Sequence, residues 1–153
     1  MAIKVGDEAP DFTFTLKNGG QASLKSLRQQ SKSVVLYFYP KDDTPGCTAQ
    51  ACSFRDQYET FTDAGAEVIG VSSDDKASHE AFAAKHRLPF SLVSDADGDL
   101  RKRYGVPRSF LGLAPGRVTY VIDRQGIVRH VFNSQLQATK HITEALDTLK
   151  RLG

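Results

Sequence analysis

The apolar residues of this chain occur in short runs that predict buried β-strands. Residues 34–39 are all apolar, as is typical of a strand that is covered on both faces of a sheet. Residues 68–71 and 90–93 predict two further strands. Residues 118–122 and 127–132 flank the turn sequence DRQG and predict a β-hairpin. The pattern therefore predicts five strands in the main body of the chain.

Helical periodicity fills the segments between these strands. Residues 44–64 predict a long helix, residues 76–86 a second helix that stops before a proline, and residues 99–104 a short third helix. Residues 138–152 predict a closing amphipathic helix, because their isoleucine and leucine residues fall on one face. The order β-α-β-α-β, followed by a hairpin and a helix, predicts an α/β domain with three layers.

We interpret this order as a thioredoxin-like fold, in which a central mixed β-sheet is flanked by helices. Residues 12–16 alternate between apolar and polar and precede the turn sequence NGG, so we predict an extra N-terminal β-hairpin. The chain has 153 residues, the size of one ordinary domain. We find no internal repeat or linker and assign residues 1–153 to a single domain.

The charge distribution argues against nucleic acid or a membrane as a partner. The formal net charge is +2, and acidic and basic residues are interspersed. No segment approaches the run of about 18 apolar residues that spans a membrane. The N-terminal stretch carries Asp7, Glu8 and Asp11 and lacks the apolar region of a signal peptide. We expect a cytoplasmic chain, or the mature form of a plastid protein that has been trimmed.

Both cysteines of the chain lie near the start of the long predicted helix. Thr44 is the predicted N-cap residue and Pro45 the first helical residue, so Cys47 is the third residue of the helix. A thiolate there faces unpaired backbone N–H groups and the positive end of the helix dipole, which stabilise it. Cys47 is therefore placed to act as a nucleophile.

The spacing of the two cysteines is too long for a disulfide within a helix. Residues five apart on a regular helix have Cα atoms separated by roughly 8.6 Å. Disulfides rarely join Cα atoms more than about 7 Å apart. Either Cys47 and Cys52 are not bonded, or forming the bond unwinds the helix.

Other interpretations of the cysteine pair stay open at this point. The pair C-x4-C can be two buried or incidental cysteines, or a permanent bridge across a loop that is not helical. A zinc site is disfavoured because the four histidines supply no close pair of ligands. The dithiol motif C-x-x-C and a glycine-rich phosphate loop are both missing. We predict no metal and no cofactor.

The segment PKDDTPGC, residues 40–47, resembles the P-x-x-x-T-x-x-C motif of the peroxiredoxins. The stretch CTAQAC is similar to their PrxQ branch, also called bacterioferritin comigratory protein. The resemblance continues through APDFTF, EVIGVSSD, LPFSLVSDADGDLRKRYGVP and PGRVTYVIDRQGIV, and therefore covers nearly the whole chain. Residues 110–121 most resemble the cyanobacterial and chloroplast members.

By position, the resemblance makes Cys47 the peroxidatic cysteine and Cys52 the resolving cysteine. It makes Thr44 and Pro40 neighbours of the reacting sulfur, and Arg117 the active-site arginine. Without the motif, Arg117 would be a solvated arginine at the start of a strand. Thr44 would be an ordinary N-cap residue, and Pro40 would only end a strand.

The chain departs from many peroxiredoxins in two respects. Gln50 stands three residues after Cys47, where many members have glutamate, so a role that needs a carboxylate there is in question. The chain also has no second cysteine near its C-terminus, which excludes the two-subunit resolving mechanism of the typical two-cysteine class. Resolution must then be intramolecular or use an external thiol.

The resemblance implies a thiol-dependent peroxidase that reduces hydrogen peroxide and organic hydroperoxides. Cys47 would become a sulfenic acid and then form a disulfide with Cys52, which thioredoxin or a similar dithiol would reduce. We expect a monomer. Two other functions stay open: a non-catalytic binding module with a thioredoxin fold, and a redox sensor or chaperone-like protein whose output is the disulfide.

Overall fold

The computed structural model of this protein describes residues 2–108 and 115–152. Part of the chloroplast-like segment, residues 110–114, lies outside this description. The strands are β1 (Thr13–Thr15), β2 (Gln21–Ser23), β3 (Ser33–Phe38), β4 (Ala66–Ser72), β5 (Ser91–Ser94), β6 (Val118–Ile122) and β7 (Val128–Asn133). The helices are α1 (Leu24–Gln29), α2 (Pro45–Asp56), α3 (Tyr58–Asp63), α4 (Lys76–His86), α5 (Asp99–Tyr104) and α6 (Lys140–Leu152).

The main sheet has five strands in the order β5-β4-β3-β6-β7. Strands β3, β4 and β5 are parallel, whereas β6 is antiparallel to β3 and β7 is antiparallel to β6. The two remaining strands, β1 and β2, form the separate N-terminal hairpin. The predicted mixed sheet and the predicted extra hairpin are both confirmed.

The central strand β3 is buried on both faces, as its continuous apolar run predicts. Its odd-numbered apolar residues pack in one core cluster with α2, α3, α4 and α6. Its even-numbered residues pack in a second cluster with β1, α1 and α5. The strand thus forms the middle layer between two sets of helices.

The register between β3 and β6 brings two distant segments of the chain together. Phe38 at the end of β3 pairs with Val118 at the start of β6, and the two strands run in opposite directions. The loop that follows β3 therefore lies beside the residues that precede β6. This loop leads through Pro40 into α2, and Arg117 is the residue just before β6.

Helices α4 and α5 have the predicted bounds, but the predicted helix over residues 44–64 is wrong as a single element. It is divided at Gln57 into α2 and α3. Phe54 and Phe61 are seven residues apart, which corresponds to about 10.5 Å along a straight helix. Their ring centres are only 5.5 Å apart in the core, and the break at Gln57 helps both rings to enter it.

Helix α1 has only six residues, which are too few for helical periodicity to predict it. It is stabilised by a reciprocal capping box, in which Ser23 and Ser26 each accept a hydrogen bond from the backbone N–H of the other. Helix α6 begins at Lys140, two residues later than predicted.

Phe54 should anchor α2 to the sheet, because its fully buried ring stacks on Tyr37 with ring centres 4.6 Å apart. We expect Phe54→Ala to lower the free energy of unfolding by about 3–5 kcal/mol, since it leaves a cavity in a close-packed core. Urea denaturation of the reduced protein measures this loss. Phe54→Leu, which keeps most of the volume, is the control and should lose clearly less. Wild-type stability in Phe54→Ala would show that the ring is not an anchor.

Candidate active site

Both cysteines lie in α2, and both are free thiols. Cys47 is the third residue of the helix, as predicted, and is buried, whereas Cys52 is half-buried. Residues 45–56 form one helix, so the two Cα atoms are about 8.6 Å apart if it is regular. A permanent bridge across a non-helical loop is therefore incompatible with this structure.

Thr44 and Pro40 lie in the loop between β3 and α2. Thr44 is the N-cap residue with an extended backbone, as predicted, but its side chain makes no cap hydrogen bond. Its hydroxyl donates instead to the carbonyl oxygen of Lys41 at 2.9 Å. The hydroxyl oxygen keeps its capacity to accept a hydrogen bond. Pro40 is half-buried and follows the end of β3, as expected.

Arg117 is buried against the first turns of α2. The residue is 4% exposed, so its interpretation as a solvated arginine is wrong. Its Nη1 donates to Oε1 of Gln50 at 2.5 Å, and its Nε donates to the carbonyl oxygen of Gln135 at 3.1 Å. A Cβ atom at Gly46 would lie 3.0 Å from Nη2 of Arg117, so the glycine lets the guanidinium approach the helix. Gly46 and Gln50 lie on either side of Cys47 in α2, so the guanidinium lies beside the helical turn that carries the thiol.

Gln50 shows what the glutamine does where many peroxiredoxins have glutamate. Its side chain is fully buried, and its amide oxygen accepts the hydrogen bond from Arg117. Its Nε2 has no hydrogen-bond partner among the described residues. A neutral amide thus orients the guanidinium without neutralising its charge, so this contact does not need a carboxylate.

Tyr37 lies in the core beneath α2 and packs in the same cluster as Cys47. Its hydroxyl is buried and has no hydrogen-bond partner in the described part of the chain. Burial, followed by the charges of Cys47 and Asp42, raises the pKa of Tyr37 well above its ordinary value. The phenol is therefore neutral and adds no negative charge near the thiol.

His141 supports the segment that holds Arg117, a role that was not predicted. The Thr119 hydroxyl donates to Nδ1 of His141 at 2.7 Å, and Nε2 of His141 donates to the carbonyl oxygen of Ser134 at 2.8 Å. Burial lowers the pKa of His141 to about 4, and the charge of Arg117 acts in the same direction. The neutral imidazole thus fixes Ser134, the neighbour of the Gln135 carbonyl that binds Arg117.

A second buried network holds the loop between β3 and α2. The carboxylate of Asp42 accepts hydrogen bonds from the Tyr39 hydroxyl at 2.5 Å and from the Ser78 hydroxyl at 2.8 Å. It also contacts Nδ1 of His79 at 2.7 Å. The backbone N–H of Asp42 donates to the Asp74 carboxylate at 2.8 Å. The loop before Thr44 is therefore tied to α4 and to the end of β4.

His79 lies between two groups that can only accept. Its Nδ1 faces the carboxylate of Asp42, and its Nε2 faces the carbonyl oxygen of Val93 at 3.1 Å. Both ring nitrogens must then carry protons, so the ring is an imidazolium. Burial acts to lower the pKa of His79, but Asp42 outweighs it and raises the pKa above 6.5. Phe82, three residues further along α4, is also buried, and this spacing was the available signal that His79 faces inward.

Asp42, Asp74 and His79 also have the composition of a metal site. Their ligand atoms all lie within 4.8 Å of one another in the described structure. Asp42 already accepts from Tyr39, Ser78 and His79, and Asp74 accepts from the Ser72 hydroxyl and the Asp42 N–H. Hydrogen bonding explains the cluster without an ion.

The arrangement around Cys47 suits nucleophilic chemistry by a thiolate. The sulfur lies near a helix N-terminus, a buried guanidinium is next to its turn, and a threonine hydroxyl is free to accept a hydrogen bond. The helix dipole and the guanidinium both favour negative charge on sulfur. The predicted residues Pro40, Thr44, Cys47 and Arg117 are thus brought to one place, with Cys52 in the same helix.

The model of the AhpC/TSA family matches residues 5–131. This chain belongs to the AhpC/TSA family. Its relatives include the chloroplastic Peroxiredoxin Q of Arabidopsis thaliana, which is 55% identical over 148 residues that cover 97% of this chain and 68% of the relative. The chloroplastic Peroxiredoxin Q of Triticum aestivum is 51% identical over 150 residues, or 98% of this chain and 68% of the relative. The resemblance to the peroxiredoxin Q branch is confirmed.

Solved structures of similar proteins confirm the thioredoxin-like fold. Peroxidoxin BcpB of Mycobacterium tuberculosis has a TM-score of 0.87 at 36% identity, with 99% of both chains covered. A cysteine-to-serine mutant of PrxQ from Xylella fastidiosa has a TM-score of 0.86 at 29% identity and covers 99% of this chain and 98% of that chain. The bacterioferritin comigratory protein of Xanthomonas campestris, described with its alkyl peroxide reduction activity, has a TM-score of 0.83 at 31% identity over 98% of this chain and 97% of that chain. The family and these relatives identify the chain as a thiol peroxidase.

The buried Asp42–His79 pair should make the stability of the fold depend on pH. Burial acts to raise the pKa of Asp42, but hydrogen bonds from His79, Tyr39 and Ser78 outweigh it and lower the pKa below 3.8. The contribution of Asp42 is present above its unfolded pKa and is lost as the pH falls through its folded pKa. The raised pKa of His79 has the opposite effect: its contribution is present below about pH 6.5 and is lost as the pH rises through the folded pKa. The pair therefore stabilises the fold most between about pH 4 and pH 6.5.

We expect His79→Gln to lower the free energy of unfolding by about 3 kcal/mol near pH 5.5, because it leaves a buried carboxylate without its cation. The loss should shrink between about pH 5.5 and about pH 9.5, because wild-type His79 gives up its proton as the pH rises through its folded pKa, which lies above 6.5. Urea denaturation at both pH values measures the difference. His130→Gln removes the partly exposed His130–Glu144 pair and, as the control, should cost less than about 1 kcal/mol. An equal loss for His79→Gln at both pH values would contradict the ion pair.

Proposed function

We propose that this chain reduces hydrogen peroxide and organic hydroperoxides through Cys47 and recovers through an intramolecular Cys47–Cys52 disulfide. The observation that carries the proposal is the position of Cys47, a buried thiol in the first turn of α2, where Arg117 packs against its neighbour Gly46. The alkyl peroxide reduction described for the Xanthomonas campestris relative supports organic hydroperoxides as substrates.

In the first step, the thiolate of Cys47 attacks one oxygen of the peroxide. A sulfur–oxygen bond forms while the oxygen–oxygen bond breaks, and the leaving oxygen takes up a proton and departs as water or an alcohol. Cys47 is oxidised to a sulfenic acid, and the peroxide is reduced. This chemistry needs no metal, haem or flavin.

The neighbours of Cys47 have distinct tasks in this step. Arg117 stabilises the thiolate and the negative charge that develops on the leaving oxygen. The hydroxyl of Thr44 donates to Lys41, so its oxygen is available to accept a hydrogen bond from the peroxide O–H. Backbone N–H groups of the first turn of α2 donate to the peroxide oxygens. Pro40 shields the sulfur from water.

In the second step, the thiol of Cys52 attacks the sulfur of the Cys47 sulfenic acid. A disulfide forms and water leaves. Because intact helix separates the two Cα atoms by about 8.6 Å, the turn between them must unwind first. Gly46 and Thr48 flank Cys47 and are poor helix formers, which lowers the cost of opening this turn.

A thioredoxin-type dithiol then reduces the disulfide by thiol–disulfide exchange and returns both thiols. Unwinding of α2 makes the disulfide accessible to this reductant. Both cysteines belong to one chain, so a monomer can complete the cycle.

The relatives support a plastid location for this chain, since several are named chloroplastic. We accordingly favour a plastid location over a cytoplasmic one. Over residues 2–108 and 115–152, the helices are all too short or too polar to cross a membrane.

Single-turnover experiments should distinguish the roles of the two cysteines. Cys47→Ser should abolish peroxide consumption because it removes the nucleophile. Cys52→Ser should keep the first turnover and lose efficient recycling by thioredoxin. Stopped-flow mixing with equimolar hydrogen peroxide measures the first turnover, and steady-state assays with thioredoxin measure recycling. Loss of the first turnover in Cys52→Ser would contradict the assigned roles. A wild-type rate near that of free cysteine would favour the redox sensor or the binding module instead.

Disulfide formation should unwind the start of α2 and leave the sheet intact. Amide hydrogen exchange should become faster on oxidation between about residues 44 and 58, whereas β3 and β6 stay protected, because local opening involves the least stable part of a fold. Cys52→Ser treated with peroxide is the control and should not show the same change. Equal protection of residues 47–52 in both states, with the disulfide confirmed by mass, would exclude the unwinding step.

A further inference from the structure

Arg101 joins the two backbone segments that carry the active site. Its Nη2 donates to the carbonyl oxygen of Tyr39 at 2.8 Å, and its Nη1 donates to the carbonyl oxygen of Gly116 at 3.0 Å. Tyr39 immediately precedes Pro40, and Gly116 immediately precedes Arg117. The guanidinium of Arg101, on α5, therefore bridges the residue that follows β3 and a residue just before β6.

The surroundings of Arg101 hold this guanidinium in place. The carboxylate of Asp95 accepts two backbone N–H groups at the start of α5, at 2.9 and 3.0 Å, and so fixes the helix that carries Arg101. The cation lies 5.7 Å from the ring centre of Phe38, within range of a cation–π interaction. A Cβ atom at Gly116 would lie 1.9 Å from the carbonyl oxygen of Pro107, so the Gly116 segment is closely packed against the chain that follows α5.

Arg101 also adds positive charge near Cys47. Burial lowers the pKa of Arg101, and Arg108 acts in the same direction, whereas Asp95, Tyr120 and Cys47 act to raise it. An arginine keeps its proton in proteins, so the side chain is a cation. Arg101 and Cys47 are therefore within range of a charge interaction.

We propose that Arg101 is a positioning residue of the peroxidase site, which fixes the backbone before Pro40 and before Arg117 and whose charge favours the Cys47 thiolate. This inference rests on the proposed function, because the rate it affects is that of peroxide reduction. Arg101 is the first residue of the basic sequence RKR. Lys102 and Arg103 are exposed, whereas Arg101 is half-buried.

Two substitutions separate the charge of Arg101 from its hydrogen bonds. Arg101→Met removes both. Arg101→Lys keeps the charge but lacks the planar fork that reaches two carbonyl oxygens at once. Lys102→Met is the matched control, because it removes a neighbouring exposed charge of the same helix.

Each variant is measured in two ways. Stopped-flow mixing with hydrogen peroxide gives the second-order rate constant of Cys47. Alkylation by iodoacetamide in the Cys52→Ser background gives the pH midpoint at which Cys47 becomes reactive. The other charged or titratable groups near Arg101 or Tyr37 include Arg117, Asp42, Asp95, Arg108 and Tyr120, and these groups and Tyr37 are unchanged in every variant.

We expect Arg101→Met to slow the peroxide reaction by about 10- to 100-fold, as misplacement of reacting groups does, and to raise the alkylation midpoint. Arg101→Lys should also slow the peroxide reaction but keep a midpoint near that of the wild type. Lys102→Met should change neither. A wild-type peroxide rate in a folded Arg101 variant overturns the proposal, as does a slower rate in Arg101→Met without a shift of the midpoint.

Two further results keep the test decisive. If Arg101→Met does not fold, a wild-type rate in Arg101→Lys overturns the proposal and a slower rate supports it. If the wild-type protein itself fails to react with peroxide, the proposed function fails, and the alkylation midpoints alone then decide whether Arg101 favours the thiolate.

Discussion

The contact between the guanidinium of Arg117 and the first turns of α2 is the constraint on which the rest of the site depends. The hydrogen bonds described for this guanidinium go to the amide oxygen of Gln50 and the carbonyl oxygen of Gln135, and both acceptors are neutral. A buried cation without a carboxylate partner is costly. That cost is offset when an anion forms beside the guanidinium, which suits a reaction in which negative charge develops on the leaving oxygen of a peroxide.

Two buried histidines support the site from different sides, and their partners give them opposite charge states. His79 faces a carboxylate and a carbonyl oxygen and must donate to both. His141 faces a hydroxyl that can donate to it, so it needs only one proton. The first histidine ties the loop before α2 to α4, and the second fixes the segment that binds Arg117. Rigid support of this kind is what a catalytic geometry requires.

Much of the fold followed from pattern alone, because strands that are buried on both faces leave continuous apolar runs. The break at Gln57 did not, since helical periodicity continues across it and packing of Phe54 and Phe61 decides where the helix divides. The position of Cys47 followed from local capping signals. The burial of Arg117 depends on the pairing of β3 with β6, which no local signal contains. The inward turn of Arg101 likewise requires the tertiary structure, because Lys102 and Arg103 are exposed and the sequence RKR alone does not distinguish Arg101 from them.

Gly46 sets a limit on how far this protein can be made more robust. Replacing glycine by alanine inside a helix is a standard way to gain about 1 kcal/mol of stability. At Gly46 the added methyl group would meet Nη2 of Arg117 at 3.0 Å, so the gain would come with displacement of the guanidinium. The same glycine lowers the cost of opening the first turn of α2, which the proposed disulfide requires. The residue at position 46 therefore affects both thermal stability and catalytic turnover, in opposite directions. Natural selection for a fast enzyme would keep the stability of this helix below its maximum.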